Sequence, residues 1–197
     1  MVAPAVPQER TNANAKILGI FLAGAAVAVL LGVYGNEHTP TKEKSYALFF
    51  TDTIHLKVWF ATAALVLAVV QVLLAMRLYG KLHWPKQAPS WLGDAHRLVG
   101  LVAFGLTLPV AYHCLWALGF ESVDMAGQDS TRVLIHCVMG CCFYGAFVAK
   151  VLCVRVKGLP GWALPVAGGL VFTTLVVIFV TSSIWFFVDR PVGIPLY

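Results

Sequence analysis

Five long apolar runs restrict what this chain of 197 residues can fold into. They predict helices over residues 17–34, 54–78, 95–118, 131–155 and 162–188. A helix needs roughly 20 mostly apolar residues to cross the hydrocarbon core of a bilayer, and each run is of about that length. Because backbone polar groups find no water in lipid, they must pair within the helix itself. The runs therefore predict an all-α membrane protein, in which residues 17–197 form a single bundle of five transmembrane helices.

The composition indicates lipid, and not water, as the main solvent of the chain. Hydrophobic residues make up 59% and charged residues 12%, which leaves too few polar groups to cover a soluble domain of this size. The polar residues 1–16 are expected to form a disordered cytoplasmic tail. The run over residues 17–34 is longer than the apolar part of a signal peptide, so we expect it to be retained as a helix.

Basic residues are concentrated in the N-terminal tail and in the connections after the second and fourth helices. They are Arg10, Lys16, Arg77, Lys81, Lys86, Arg97, Lys150, Arg155 and Lys157. If five helices alternate across the membrane, these segments share one side, which the positive-inside rule makes cytoplasmic. We therefore expect a multi-pass protein of the bacterial cytoplasmic membrane, with a cytoplasmic N-terminus and an external C-terminus. The lipid bilayer is its expected partner. Nucleic acid is not, because the basic residues form no patch interleaved with exposed aromatic residues.

Three of the six histidines lie near the same predicted membrane boundary. His55 opens the second helix, His113 lies close to the end of the third, and His136 lies close to the start of the fourth. All three are therefore expected near the outer face. An ionisable side chain inside lipid is costly and usually marks a functional site. The common depth favours a shared ligand over three independent, structural histidines. His96 and His83 fall at the opposite, inner end.

A b-type haem fits this pattern. Haem iron accepts two axial imidazoles, and the fourth helix presents Arg132, His136 and Gly140 at a spacing of four residues, on one face. In this interpretation Arg132 would pair with a haem propionate, and Gly140 would let the ring lie against the helix. His113 and His136 match best in depth and are slightly favoured as iron ligands. His55 is the alternative ligand, or a partner for a propionate.

Two other interpretations stay open. Gly140 and Gly145 also suit close packing between helices, and the histidines would then be structural residues of a non-catalytic membrane subunit or scaffold. His113 and His136 are each followed by a cysteine, which would suit a copper or zinc site, although adjacent helical residues point about 100° apart. The five cysteines lie inside apolar runs without a CxxC pair, so a disulfide framework is not expected.

Residues 96–113, HRLVGLVAFGLTLPVAYH, resemble a helix of the ferric-reductase-like and related transmembrane cytochrome b families. There a basic residue and a glycine begin the helix, and a haem-ligating histidine lies near its far end. The resemblance implies that His113 is a haem ligand and that His136 is a candidate for the second. The stretches AYHCLWALGF and HCVMGCCFYGAFVAKV also look like a family of uncharacterised actinobacterial multi-pass membrane proteins, over most of the chain. Unlike the di-haem cytochromes, this sequence has no histidine in its fifth helix, so one haem b is expected.

These observations predict a b-type cytochrome that transfers electrons through one bis-histidine haem near the outer membrane face. Its redox partner would be quinol or another protein. Since the sequence carries no nucleotide-binding or flavin-binding segment, the chain would act as an electron-transfer subunit of an oxidoreductase. The alternatives are the scaffold and the copper- or zinc-binding membrane protein.

Overall fold

The computed structural model describes residues 7–41, 46–83, 89–120 and 129–189. Its helices are α1 (Pro7–Glu37), α2 (Thr53–Leu78), α3 (Leu92–Tyr112), α4 (Asp129–Arg155), α5 (Ala163–Phe179) and α6 (Trp185–Asp189). A π-helical turn, His113–Leu118, continues α3, and a second one, Val180–Ile184, joins α5 to α6. No strand occurs among the described residues, so the prediction of an all-helical chain is confirmed.

In the described part of the chain, five helical stretches are long and apolar enough to cross a membrane, as predicted. They are Asn12–Glu37, Thr53–Leu78, Leu92–Ala117, Thr131–Arg155 and Ala163–Val188. Large apolar side chains on these stretches are exposed, among them Leu30, Val66 and Leu101. Apolar surface of this extent is compatible with contact to a lipid bilayer. The helices thus indicate a multi-pass membrane protein.

The first helix begins earlier than the sequence predicted. Residues 7–16, expected to belong to a disordered tail, continue α1 back to Pro7. Proline suits the first position of a helix, because no backbone N–H is needed there and its fixed φ is close to the helical value. At its other end α1 extends to Glu37, beyond the predicted residue 34. Residues 1–6 of the predicted tail lie outside the described residues.

The helices group into two compact units. The first unit consists of residues 1–37 and 121–178 and holds α1, α4 and α5 as far as Ile178. Small residues let α1 and α4 approach closely: a Cβ atom added to Gly24 would lie 2.6 Å from the carbonyl oxygen of Gly145. The core of this unit is built from apolar and small side chains. They are Ile20, Ala149, Cys153, Ala163 and Ala167.

The second unit consists of residues 38–120 and 179–197 and holds α2, α3, both π-helical turns and α6. In its α2–α3 pair, the side chain of Gln71 donates a hydrogen bond to the carbonyl oxygen of His96. Near the other end of the pair, the ammonium group of Lys57 lies within electrostatic range of His113. The first contact joins the last part of α2 to the start of α3, and the second joins the start of α2 to the end of α3. The two helices are therefore antiparallel. The end of α3 therefore lies beside the start of α2.

The π-helical turn at His113 follows Pro109. Proline has no N–H and cannot complete the α-helical ladder, and π-helical turns within helices frequently occur at functional sites. The segment before α2 runs beside this turn. Thr41 N donates a hydrogen bond to the Trp116 carbonyl oxygen at 3.4 Å, and His38 Nε2 lies 3.2 Å from the same oxygen. A proline inside a helix commonly produces a kink, and here a change of helix type follows Pro109.

Candidate functional site

The imidazole of His113 is completely buried, with 0% of its surface exposed. Neither Nδ1 nor Nε2 has a hydrogen-bond partner in the described part of the chain. The main chain of Tyr46 passes close to the ring but outside hydrogen-bonding geometry. His113 is therefore a buried polar group whose two nitrogens are both left unused by the described residues.

An unpaired, buried imidazole needs a physical explanation. About nine-tenths or more of buried polar groups in proteins have a hydrogen-bond partner, and leaving one unpaired costs about 1–3 kcal/mol. A neutral imidazole carries one nitrogen lone pair, which makes histidine the commonest protein ligand for metals. His113 thus keeps a nitrogen lone pair that no described residue uses.

Aromatic rings surround His113. Its ring centroid lies 4.8 Å from that of Tyr46 and 5.7 Å from that of Tyr112. The two tyrosines stack on each other, with centroids 5.7 Å apart. Both tyrosines are exposed while the histidine is buried. The surroundings of His113 therefore combine aromatic rings, the cation of Lys57 and a buried imidazole.

His55 lies in the same unit, in the first turn of α2. Its Nδ1 is 2.7 Å from Oδ2 of Asp52 and 3.2 Å from Oγ1 of Thr51. The ring packs edge-on against the buried Phe186, with centroids 5.3 Å apart. Both members of the His55–Asp52 pair are partly exposed, at 30% of each side chain. The position and orientation of the His55 ring are therefore fixed from two sides.

Asp52 has two functions in this arrangement. It is the N-cap residue of α2, where its Oδ1 accepts a hydrogen bond from the main-chain N–H of His55 at 2.8 Å. Partial burial raises the pKa of the Asp52 carboxyl, but the hydrogen bonds from the main chain and ring of His55 outweigh burial and bring the pKa below its ordinary value. Asp52 is thus a carboxylate that holds both the helix start and the imidazole.

The other predicted site residues lie on α4, in the first unit. His136 is half-buried, and its Nδ1 lies 3.2 Å from the carbonyl oxygen of Ile178. Arg132 is also half-buried. A Cβ atom at Gly140 would meet no described atom within 4 Å, so no described group fills the space beside this glycine. The predicted ligands are thus divided between the units, since His113 belongs to the second one together with His55.

The described residues offer no support for the copper or zinc alternative. No three side chains among the described histidines, cysteines, aspartates and glutamates come together as a site for a metal ion. The five cysteines are free thiols. A haem iron is already held by its porphyrin, and one or two protein ligands are sufficient for it.

Sequence reasoning missed Asp52 and Tyr46. Asp52 could have been found, because an aspartate three residues before a histidine at the start of a helix occupies the N-cap position and can reach its main chain. Tyr46 lies in the connection before α2, where no periodic pattern indicates which residue turns towards α3. Its contact with His113 depends on the path of that connection.

Comparison with other proteins places the chain in a family. No curated protein and no solved structure matches it. The resemblance to ferric-reductase-like cytochromes is therefore still a prediction. One family model, described as "Family of unknown function (DUF6529)", matches residues 17–194, from within α1 to beyond α6. Because this match covers most of the chain, the protein belongs to the DUF6529 family of unknown function.

Proposed function

We propose that this protein is a b-type cytochrome of the cytoplasmic membrane and that His113 binds the haem iron. One observation carries the proposal: His113 is fully buried, and neither of its ring nitrogens has a partner in the described residues. Iron coordination would use one nitrogen lone pair and would offset the cost of burying it.

Two kinds of group near His113 support this proposal. The porphyrin is flat and apolar, and the rings of Tyr46 and Tyr112 offer surfaces suited to it. Its propionates are anionic, and Lys57 supplies a cation in the same unit, near His113. On α4, Arg132 stays a candidate partner for a haem propionate. Gly140 stays the candidate position at which the ring would lie against the helix. His55 and His136 are the two candidates for the second imidazole.

A bound haem would let the protein accept and release single electrons. The protein's own residues would set where this happens: Pro109 and the π-helical turn position His113 at the end of α3, and burial of its ring excludes water. The charge pattern predicts that this end of α3 lies at the outer face, with the N-terminus inside and the C-terminus outside. A quinol or a redox protein would exchange electrons with it there.

The visible spectrum of the protein tests the proposal. We expect the protein purified from haem-replete cells to be coloured and to develop a sharp α-band when dithionite reduces it. His113→Ala should lose this band, and added imidazole should restore it by occupying the vacated space. His83→Ala, in an exposed position, should leave the spectrum unchanged. A colourless wild-type protein would refute the proposal, as would a His113→Ala variant with the wild-type spectrum.

A further inference from the structure

We propose that the first unit binds the phosphate of an anionic phospholipid headgroup beside Lys16. The core of this unit joins α1, α4 and α5 at the end where α4 stops and α5 begins. Lys16 lies four residues before the buried core residue Ile20, and residues four apart share one face of a helix. Lys16 is therefore on the side of α1 that packs against the other two helices. The inference does not depend on a bound haem.

The ammonium group of Lys16 lies over the turn that follows α4. Its Nζ donates a hydrogen bond to the carbonyl oxygen of Lys157 at 3.2 Å, and a Cβ atom added to Gly158 would lie 3.6 Å from the same Nζ. An ammonium group has three N–H donors, and this contact uses one of them. In the described part of the chain, the other two donors are left for a further acceptor.

Arg155 and Lys157 place two more exposed cations next to Lys16. Both ion pairs that occur among the described residues belong to the second unit. No described carboxylate therefore neutralises this end of the first unit. Like charges held close together repel each other, and an anion between them turns that repulsion into attraction. The cluster is thus suited to a group with several negatively charged or acceptor oxygens, such as a phosphate.

Lys150 extends the positive charge towards the interior of the membrane. It is half-buried in the apolar stretch of α4, five residues before Arg155, which is about 7.5 Å along the helix. A charged side chain within a membrane-spanning segment usually marks a binding site, and the long stem of a lysine can carry its ammonium group towards the headgroups. Lys150 thus favours a ligand at the depth of the lipid over a free ion in water.

The surface beside these cations suits the apolar part of a lipid. Leu18 and Val154 are more than half exposed and close in sequence to Lys16 and Arg155. Trp162, which precedes α5, is exposed as well, and tryptophan is enriched at the level of the headgroups. Basic pockets between transmembrane helices are known to bind anionic headgroups. A phospholipid would use the cations and the apolar surface together, whereas free phosphate would use the cations alone.

Native mass spectrometry of the full chain in a neutral detergent tests the proposal, because it counts bound lipids. The probes are phosphatidylglycerol and phosphatidylcholine with the same acyl chains, and we expect the anionic lipid to bind more tightly. Lys16→Gln and Lys157→Gln should each weaken its binding about fivefold, since one basic residue near an anionic surface contributes roughly this factor. Lys16→Arg keeps the charge and should bind like the wild type. Lys81→Gln, at an exposed position of the second unit, should have no effect.

Four results would overturn the inference. The first is equal affinity for the two lipids, and the second is the same loss of binding in Lys81→Gln as in Lys16→Gln. The third is a loss of binding in Lys16→Arg, which would give Lys16 only a structural role at the Lys157 carbonyl. The fourth is displacement of phosphatidylglycerol by an equal concentration of inorganic phosphate, which would make the ligand a free anion.

Size-exclusion chromatography and the melting temperature show whether each variant is folded. If Lys16→Gln does not fold, Lys157→Gln decides the question, because Lys157 contributes only its main-chain carbonyl oxygen to the contact with Lys16. A folded Lys157→Gln variant that binds phosphatidylglycerol as tightly as the wild type would then refute the proposed site.

Discussion

Gly24 of α1 and Gly145 of α4 contact each other backbone to backbone. A Cβ atom on Gly24 would lie 2.6 Å from the carbonyl oxygen of Gly145 and 3.2 Å from the Cβ atom of Ala149. Real Cβ atoms do not approach a backbone oxygen this closely, so a side chain here would force the helices apart. In lipid, where helices gain little from hiding apolar surface from each other, such close packing is a main source of their association.

Gly24→Ala should therefore destabilise the first unit. We expect a loss of about 1–3 kcal/mol in the free energy of unfolding, which is typical of an overpacked contact. Gly32→Ala is the matched control, because a Cβ atom at Gly32 meets nothing within 4 Å. Thermal unfolding in detergent, followed by circular dichroism, measures the difference. Equal melting temperatures for the two variants would show that this contact does not stabilise the unit.

The hydrogen bond between Gln71 and His96 should stabilise the α2–α3 pair. Gln71 is buried, and its amide donates to the His96 carbonyl oxygen. Gln71→Leu keeps a side chain of similar size but cannot donate, so we expect a loss of about 0.5–1.5 kcal/mol in the free energy of unfolding. Val69→Leu, at an exposed position of the same helix, is the control. Unfolding in a denaturing detergent compares the variants, and equal stability would contradict this role.

The charge pattern predicts the orientation of the termini. Alkaline phosphatase folds only outside the cytoplasm, and green fluorescent protein exported by the general secretory route does not fluoresce. We therefore expect a C-terminal phosphatase fusion to be active and a C-terminal fluorescent fusion to be dark. Reversing the charges of Arg155 and Lys157 should weaken this preference, because basic residues in short connections hold a segment inside. A fluorescent C-terminal fusion of the wild type would contradict the predicted orientation.

The sequence predicted the helices well because their signal is physical and local. A run of apolar residues of membrane-spanning length has few alternatives to a helix, whatever surrounds it. The start of α1 in the structure differs from the predicted start. Residues 7–16 are polar, so only their helix propensity, together with Pro7 at the first position, favours a helix there. Composition alone does not separate a polar helix from a disordered tail.

The site was predicted only in part. His113 was selected by its depth in an apolar run, and the structure buries its side chain. The π-helical turn was not predicted, because Pro109 indicates a local break but not which hydrogen-bond pattern replaces the α-helical one. Gly140 and Gly145 looked equivalent in sequence, but only Gly145 packs closely against another helix among the described residues. Which glycine packs depends on where α1 crosses α4.

The number of haems bound per chain, measured as the pyridine haemochrome, tests the central claim most directly. We predict about one haem b per wild-type chain and almost none in His113→Ala, because under the proposed function the buried imidazole would hold the iron. Both proteins should elute as the same folded species in size-exclusion chromatography. A wild-type protein without haem from haem-replete cells, or a His113→Ala variant with a full complement, would contradict the account.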